Sequence, residues 1–205
     1  YKYELNVSKL NEYDISWVYL TSIASGTEKY HDALIDWLET RPEIKLAFQP
    51  GTFQMKGGIE PMKRVYARSD AFFCNLDEAR DILKLPHADY PELHAKFREL
   101  GPKIVCITDG PNGATISDSE HAWFVPMYPD PKPPVDRTGC GDACASATVA
   151  AIMLGKDLVT ALSYGVTNSM SVVQYVGAQA GLLSQHQIEE FLKNAPSEFQ
   201  TKQLW

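Results

Sequence analysis

Apolar and polar positions along this chain follow two periods, and the switches between them mark out the elements. The β-branched and aromatic run Trp17–Ile23 predicts a buried strand. A turn at Ser25-Gly26-Thr27 follows. Tyr30, Leu34, Trp37 and Leu38 then share one helical face, which predicts a helix from Thr27, as N-cap, to about Glu39. Ile44–Gln49 predicts a second strand, ending at Pro50-Gly51, with a helix over about Ile59–Ala67. Ala71–Asn75 predicts a short strand, followed by helices over Leu76–Leu83 and Tyr90–Leu100. Lys103–Thr108 is the next buried strand, broken at Asp109-Gly-Pro-Asn-Gly113. Ala114–Ser117 and His121–Met127 predict a hairpin of edge strands. Pro126–Pro134, with five prolines, reads as an ordered loop. Three helices close the pattern. One runs through the small, apolar residues Ala143–Met153 with Gly155 past its end, one spans Leu158–Val176, and the last spans Ser184–Leu192 with Ser184 and Gln187 as its capping box.

Strands alternating with helices predict an α/β fold, a doubly wound and mostly parallel sheet flanked by helices, as a single domain over residues 1–205. In such sheets ligands collect at the C-terminal ends of the strands. The length, 205 residues, and the 44% apolar share suit a substantial core. A net charge of −7 argues against nucleic-acid and anionic-membrane partners. No apolar run reaches the roughly 18 residues a membrane span needs, so a cytoplasmic protein is expected. The N-terminal stretch is polar and does not read as a signal peptide. It lacks an initiator Met, and Tyr1–Val7 looks like the middle of a longer sequence.

Cys74, Cys106, Cys140 and Cys144 form no C-x-x-C pair, so reduced thiols are expected and a zinc site is not. His31, His87, His94, His121 and His186 show no metal-ligand spacing, and surface placement is expected for each.

The chemistry concentrates in Val135-Asp-Arg-Thr-Gly-Cys-Gly-Asp-Ala-Cys-Ala-Ser146. Gly139 and Gly141 stand at a predicted helix N-terminus, where unpaired amides and the positive dipole end favour an anion. Asp142, in the first turn, is open to two readings. It is a dipole or capping carboxylate, or a base that takes the proton of a hydroxyl attacking a phosphoryl group held by those amides. No Walker A sequence and no G-x-G-x-x-G fingerprint occurs in the chain.

The run Asp136-Arg-Thr-Gly-Cys-Gly-Asp142 resembles the C-terminal signature of the ribokinase-like (PfkB) carbohydrate kinases, usually read D-T-x-G-A-G-D; Arg137 and Cys140 depart from it. The resemblance implies Asp142 as catalytic base and Gly139, Cys140 and Gly141 as the anion hole. It implies an ATP- and Mg2+-dependent transfer of phosphate to an alcohol group of a sugar or nucleoside. Asn75-Leu-Asp-Glu78 is similar to the family's N-x-x-E motif, in which Glu78 would position Mg2+ through water; as a bare pattern it is also a helix capping box. Thr108, Gly110 and Gly113 resemble the family's segment beneath the nucleotide, and as bare dipeptides are turn signals. Asn168 falls near the residue that borders the adenine pocket in that family. Asp136, with carbonyls near Gly177–Gly181, corresponds to a site for a monovalent cation such as K+, and is a candidate substrate neighbour too. Gln49-Pro-Gly-Thr52 stands where relatives carry D-x-N or N-P, without a carboxylate.

The family's leading strand, Gly-Gly segment and small β-sheet lid have no visible counterpart before Trp17. The sequence is therefore expected to be a fragment, or to take its front part from another chain, with homodimerisation through such a lid a further expectation. A non-catalytic nucleotide- or sugar-binding relative is the alternative, and Asp142 argues against it, since a binding module needs no base.

Overall fold

The computed structural model describes residues 3–24 and 26–205, so Ser25 of the expected turn lies outside the described residues. The chain divides into two compact units, residues 1–105 and 106–205.

In the first unit a short helix α1 (Val7–Leu10) precedes three parallel strands. These are β1 (Trp17–Leu20), β2 (Lys45–Phe48) and β3 (Ala71–Asn75), with Trp17 opposite Lys45 and Phe48 opposite Phe72. Helix α2 (Glu28–Glu39) joins β1 to β2. Between β2 and β3 lie α3 (Thr52–Gly57), a 3-10 turn at Glu60–Met62 and α4 (Lys63–Arg68), a stretch for which only one helix was expected. Helices α5 (Leu76–Leu83) and α6 (Tyr90–Leu100) follow β3. The strands are continuous apolar runs because parallel strands are buried on both faces. Phe48, Phe72 and Phe97 are fully buried, and Phe72 and Phe97 stack with ring centroids 4.5 Å apart. Each such ring contributes about 1.5–3 kcal/mol of burial.

Two histidines expected at the surface are buried: His31 is 3% exposed and His94 0%. His94 sits on the inner face of α6 with Leu93 and Phe97, and burial lowers its pKa to about 3, helped by the Arg98 charge. His31 lies at the start of α2 against Gln54, whose Oε1 accepts from the Gly51 N–H at 2.7 Å and whose Nε2 donates to the Thr21 carbonyl at 3.1 Å. With the amide orientation fixed in this way, Gln54 Nε2 faces His31 Nε2 as a donor at 3.4 Å. A neutral imidazole can be sheltered there, and burial lowers its pKa accordingly.

Asp70 is the other buried polar anchor of this unit. Its Oδ2 accepts from the Leu46 N–H (3.0 Å) and Arg68 (3.2 Å), and its Oδ1 from Lys103 Nζ (2.8 Å). Burial pushes this carboxyl up, but the Lys103 and Leu46 hydrogen bonds and the Lys103 and Lys45 charges outweigh it, and the pKa is lowered.

Strand β4 (Ile104–Thr108) crosses the boundary. Within the first unit its Ile104 N–H donates to the Asp70 carbonyl at 2.9 Å. In the second unit Thr115 Oγ1 donates to the Ile107 carbonyl at 3.4 Å. There β5 (Ala114–Ser117) and β6 (Ala122–Val125) form the expected antiparallel hairpin, with Ala114 opposite Val125. The pair is not left as an edge, however. A C-terminal strand β7 (Lys202–Gln203) adds to β6, Trp123 opposite Gln203.

Helices α7 (Cys140–Met153), α8 (Leu158–Val172) and α9 (Gln185–Lys193) complete the unit. α8 ends four residues short of the expected Val176: past Val173 the N–H groups of Gln174 and Tyr175 donate to i−3 carbonyls, Ser171 and Val172, and the segment beyond is held from outside. Val135 and Asp136 N–H groups donate to the Val173 carbonyl at 2.7 and 3.3 Å. The Gly177 N–H, which would continue the helix onto that carbonyl, goes instead to the Asp136 carboxylate at 2.8 Å. No described helix is long and apolar enough to cross a membrane.

Candidate active site

Helix α7 starts three residues earlier than the apolar run alone suggested. Gly139 is its N-cap, and Cys140, Gly141 and Asp142 form the first turn. The two glycines are there for different reasons. Gly139 has φ +77°, and a Cβ on it would lie 2.4 Å from the Ala178 Cβ and 2.9 Å from the Ala178 Cα. It is therefore fixed by conformation and by close packing on the turn after α8. Gly141 has an ordinary helical φ, and a Cβ on it would meet nothing within 4 Å. Its backbone N–H has no hydrogen-bond partner among the described residues, whereas the Cys140 N–H donates to the Arg137 carbonyl at 3.3 Å. The helix has no side-chain cap. Its positive end therefore carries an unpaired amide on an exposed glycine, with the exposed Asp142 carboxylate next along the chain.

Asp136 holds this loop in place. Its Oδ1 accepts from the Thr138 N–H (2.9 Å) and hydroxyl (2.8 Å), and its Oδ2 from Gly177 N–H (2.8 Å). The Gly177 amide, then the Thr138 amide and hydroxyl, hold the carboxyl below its ordinary pKa. The loop before α7 is thereby tied to the turn after α8.

Gly110 and Cys140 line one cavity of about 70 Å3, with Met127, Asp130, Ser169 and Val173 among its walls. The structure thus brings the Thr108–Gly113 segment to the start of α7. Thr108 ends β4, and Gly113 is placed by packing, since a Cβ there would meet the Val125 carbonyl oxygen at 2.6 Å. Asn168 does not join this cavity. Its Nδ2 donates to the Ala143 carbonyl at 3.0 Å and its Oδ1 accepts from the Leu183 N–H at 2.9 Å. It borders a separate cavity of about 330 Å3 between α7, α8 and the segment at Leu182-Leu183. Asp130 and Ser169 were not singled out from sequence. Asp130 lies inside the proline-rich loop, and Ser169 is the neighbour of the asparagine that was chosen.

In the first unit Asn75 and Glu78 form the reciprocal box at the start of α5. Asn75 Oδ1 accepts from the Glu78 N–H at 2.8 Å, and Glu78 Oε2 from the Asn75 N–H at 2.9 Å. Glu78 Oε1 has no hydrogen-bond partner among the described residues. Gln49, at the end of β2, accepts from the Tyr19 hydroxyl. Cys74, Cys106 and Cys144 are buried and Cys140 is half-buried; none of the four is in a disulfide. Burial pushes the Cys144 thiol up to about 12, with Cys140 adding to the rise. Among the described residues no group of three or more His, Cys, Asp or Glu could cage a metal ion.

The fold is the ribokinase-like α/β fold, with a mostly parallel sheet and helices. The ribokinase of Arabidopsis thaliana, solved with ribose and ATP, superposes with a TM-score of 0.75 at 20% identity over 87% of this chain and 56% of that one. Thermotoga maritima ribokinase gives a TM-score of 0.72 at 23% identity over 93% and 60%. The nucleoside kinase of Methanocaldococcus jannaschii gives 0.73 at 18% identity over 92% and 61%. In sequence the chain is 33% identical to Bacillus subtilis ribokinase over 104 residues, 50% of this chain and 35% of that protein. The match to that curated relative spans about a third of the relative's length.

The chain belongs to the pfkB family of carbohydrate kinases, whose profile it matches over residues 25–185.

Proposed function

We propose that this protein transfers the γ-phosphate of ATP to an alcohol group of a sugar or nucleoside, at the N-terminus of α7. The observation that carries this reading is Gly141. Neither its φ nor its neighbours demand a glycine, and its amide is unpaired among the described residues at an exposed helix end. A glycine there leaves the most room beside that amide for a phosphoryl oxygen. Gly139 and Cys140 complete the first turn around it.

In this reading Asp142 accepts the proton of the acceptor hydroxyl as it attacks, worth about 10²–10⁴ in rate for a positioned base. The Gly141 N–H and the helix dipole stabilise the charge that develops on the transferring group, each such donor being worth about 10²–10³. Asp136 keeps the loop docked on Gly177 so that these groups do not drift. Its Oδ2, which takes only one N–H, keeps a lone pair for a monovalent cation such as K+. Thr108 and Gly110 support the nucleotide from the end of β4, with Gly113 shaping their turn and Asn168 fixing α8 against α7.

Glu78 suits Mg2+ carried mainly by phosphates and water: one carboxylate oxygen is held by the Asn75 amide and the other is available. Such an ion neutralises nucleotide charge when bound. The relatives named ribokinase and nucleoside kinase support the sugar or nucleoside class of acceptor.

The test is ADP release with Mg2+ATP over a panel of sugars and nucleosides. One acceptor should be turned over, and Asp142→Asn should lose at least about 10²-fold while still binding nucleotide. Full turnover by Asp142→Asn would remove the assigned base.

A further inference from the structure

The loops that follow β1 and β2 are fastened together through one side chain. Gln54, in the first turn of α3, accepts through Oε1 from the Gly51 N–H at 2.7 Å and, more distantly, from the Ile23 N–H at 3.5 Å. Its Nε2 donates to the Thr21 carbonyl at 3.1 Å. Thr21 and Ile23 belong to the loop after β1, and Gly51 to the loop after β2. The loops also touch directly, since a Cβ on Gly51 would lie 2.8 Å from the Ser22 Cα. Both follow the C-terminal ends of parallel strands, where ligands collect in sheets of this kind. The remaining Nε2 hydrogen of Gln54 faces His31 Nε2 at 3.4 Å, so that ring nitrogen is the acceptor and the ring proton sits on Nδ1. Turning the carboxamide over would set its oxygen against the Thr21 carbonyl and its NH2 against the Gly51 and Ile23 N–H groups. His31 Nδ1 is buried without a hydrogen-bond partner, so the closed arrangement carries an unmet donor. Beside the ring lies a cavity of about 60 Å3, roomy enough for water and lined in part by Glu28.

We propose that His31 and Gln54 form a proton-operated latch on the loops after β1 and β2, closed while the imidazole is neutral and released when it takes a proton. A proton on Nε2 makes both ring nitrogens donors and sets an N–H against the Gln54 NH2. The amide escapes that contact only by giving up its backbone partners in the two loops. Once released, the imidazolium can turn to Glu28, whose side chain shares the cavity lining. Burial opposes the proton and lowers the pKa of His31; Glu28 and Asp32, both on α2, are the charges that act on the ring and favour it. From α3 and the turn at Glu60–Met62 the cavity is faced by Phe53, Pro61 and Met62, none of which titrates. Because the closed state shelters the neutral ring, release sets in as pH falls below 6.5, the ordinary histidine value. It then grows by up to about tenfold per pH unit. The latch uses none of the residues assigned to phosphotransfer at α7 and stands apart from that reading.

The experiment is amide hydrogen exchange, read by mass spectrometry between pH 7.5 and pH 5, with each rate divided by the intrinsic chemical rate at that pH. Opening of residues 20–24 and 49–57 should rise on the order of tenfold below pH 6.5, while α8, which contains no histidine, keeps its protection. His31→Gln offers an amide oxygen to Gln54 and does not titrate, so both loops should stay closed throughout. Gln54→Glu should invert the dependence, because a carboxylate accepts from an imidazolium and offers nothing to the neutral ring. The wild type alone gives a further reading, since imidazole 15N shifts should place the ring proton on Nδ1 at pH 7.5 and titrate together with the loop opening. Loops equally protected at pH 7.5 and pH 5, a loss shared by α8, the same pH dependence in His31→Gln, or a ring proton on Nε2 at pH 7.5 would each overturn the latch.

Discussion

Alanine at Gly139 and alanine at Gly141 are chemically the same change two residues apart, and the structure assigns them opposite consequences. At Gly139 the left-handed backbone costs about 1–2 kcal/mol for a residue with a Cβ. The new methyl would also press into Ala178, and its 2.4 Å approach to a Cβ and 2.9 Å to a Cα requires backbone to move. Overpacking of that kind adds about 1–3 kcal/mol. A chain of this length loses roughly 2–4 °C of melting temperature per kcal/mol, so Gly139→Ala should melt roughly 4–20 °C lower. At Gly141 the backbone is already helical and the new methyl meets nothing. Alanine there gains up to about 1 kcal/mol of helix propensity, so the melting temperature should hold or rise slightly. Phosphotransfer by Gly141→Ala should nevertheless fall on the order of 10²-fold, because the methyl crowds the anion proposed to sit on that amide. Thermal melts and ADP release, run on both variants, read the two effects separately. Wild-type turnover in Gly141→Ala would refute the anion site, and an unchanged melt in Gly139→Ala would refute the packing argument.

Asp70→Asn should destabilise the protein by about 2–3 kcal/mol in urea denaturation at pH 7, because it leaves Lys103, Arg68 and Lys45 facing one another without their carboxylate. Asp70's contribution is present above the ordinary carboxylate pKa and is lost as pH falls through its lowered folded value. His94 predicts a second acid sensitivity. Its folded pKa of about 3 lies below the ordinary 6.5, so from pH 6.5 downwards the unfolded chain gains a proton that the folded one does not. Stability should then fall by up to about 1.4 kcal/mol per pH unit until pH approaches 3. Denaturation midpoints between pH 7 and 4 should show this slope, and His94→Leu should flatten it.

How far the sequence could be read depended on whether a residue's partner lies nearby in the chain. Asn75 with Glu78 and Ser184 with Gln187 are three residues apart, and both boxes form as their spacing predicts. The glycines marked a helix N-terminus at the start of α7, but its apolar run placed the helix from Ala143, three residues late. His31 was misplaced because its shelter comes from Gln54, on a helix of only six residues whose N-cap is a glycine and which shows no periodicity long enough to notice. β7 has two polar, exposed residues and is held by its backbone ladder to β6, so no side-chain pattern announces it. The turn after α8 is tied down by Asp136, 41 residues earlier, which takes the Gly177 N–H. Asn168 could be picked out as polar within an apolar helix, but not that its amide is spent on Ala143 and Leu183 while Ser169 faces the cavity.

The central claim is that Asp142 removes a proton from an alcohol whose incoming phosphate is held at Gly141. ADP release from Mg2+ATP over the sugar and nucleoside panel, comparing wild type with Asp142→Asn at equal nucleotide saturation, tests it most directly. The account predicts turnover with an acceptor by the wild type and a loss of at least about 10²-fold in the variant with nucleotide binding retained. Equal turnover by the two proteins, or nucleotide binding without turnover of any acceptor by the wild type, would contradict it.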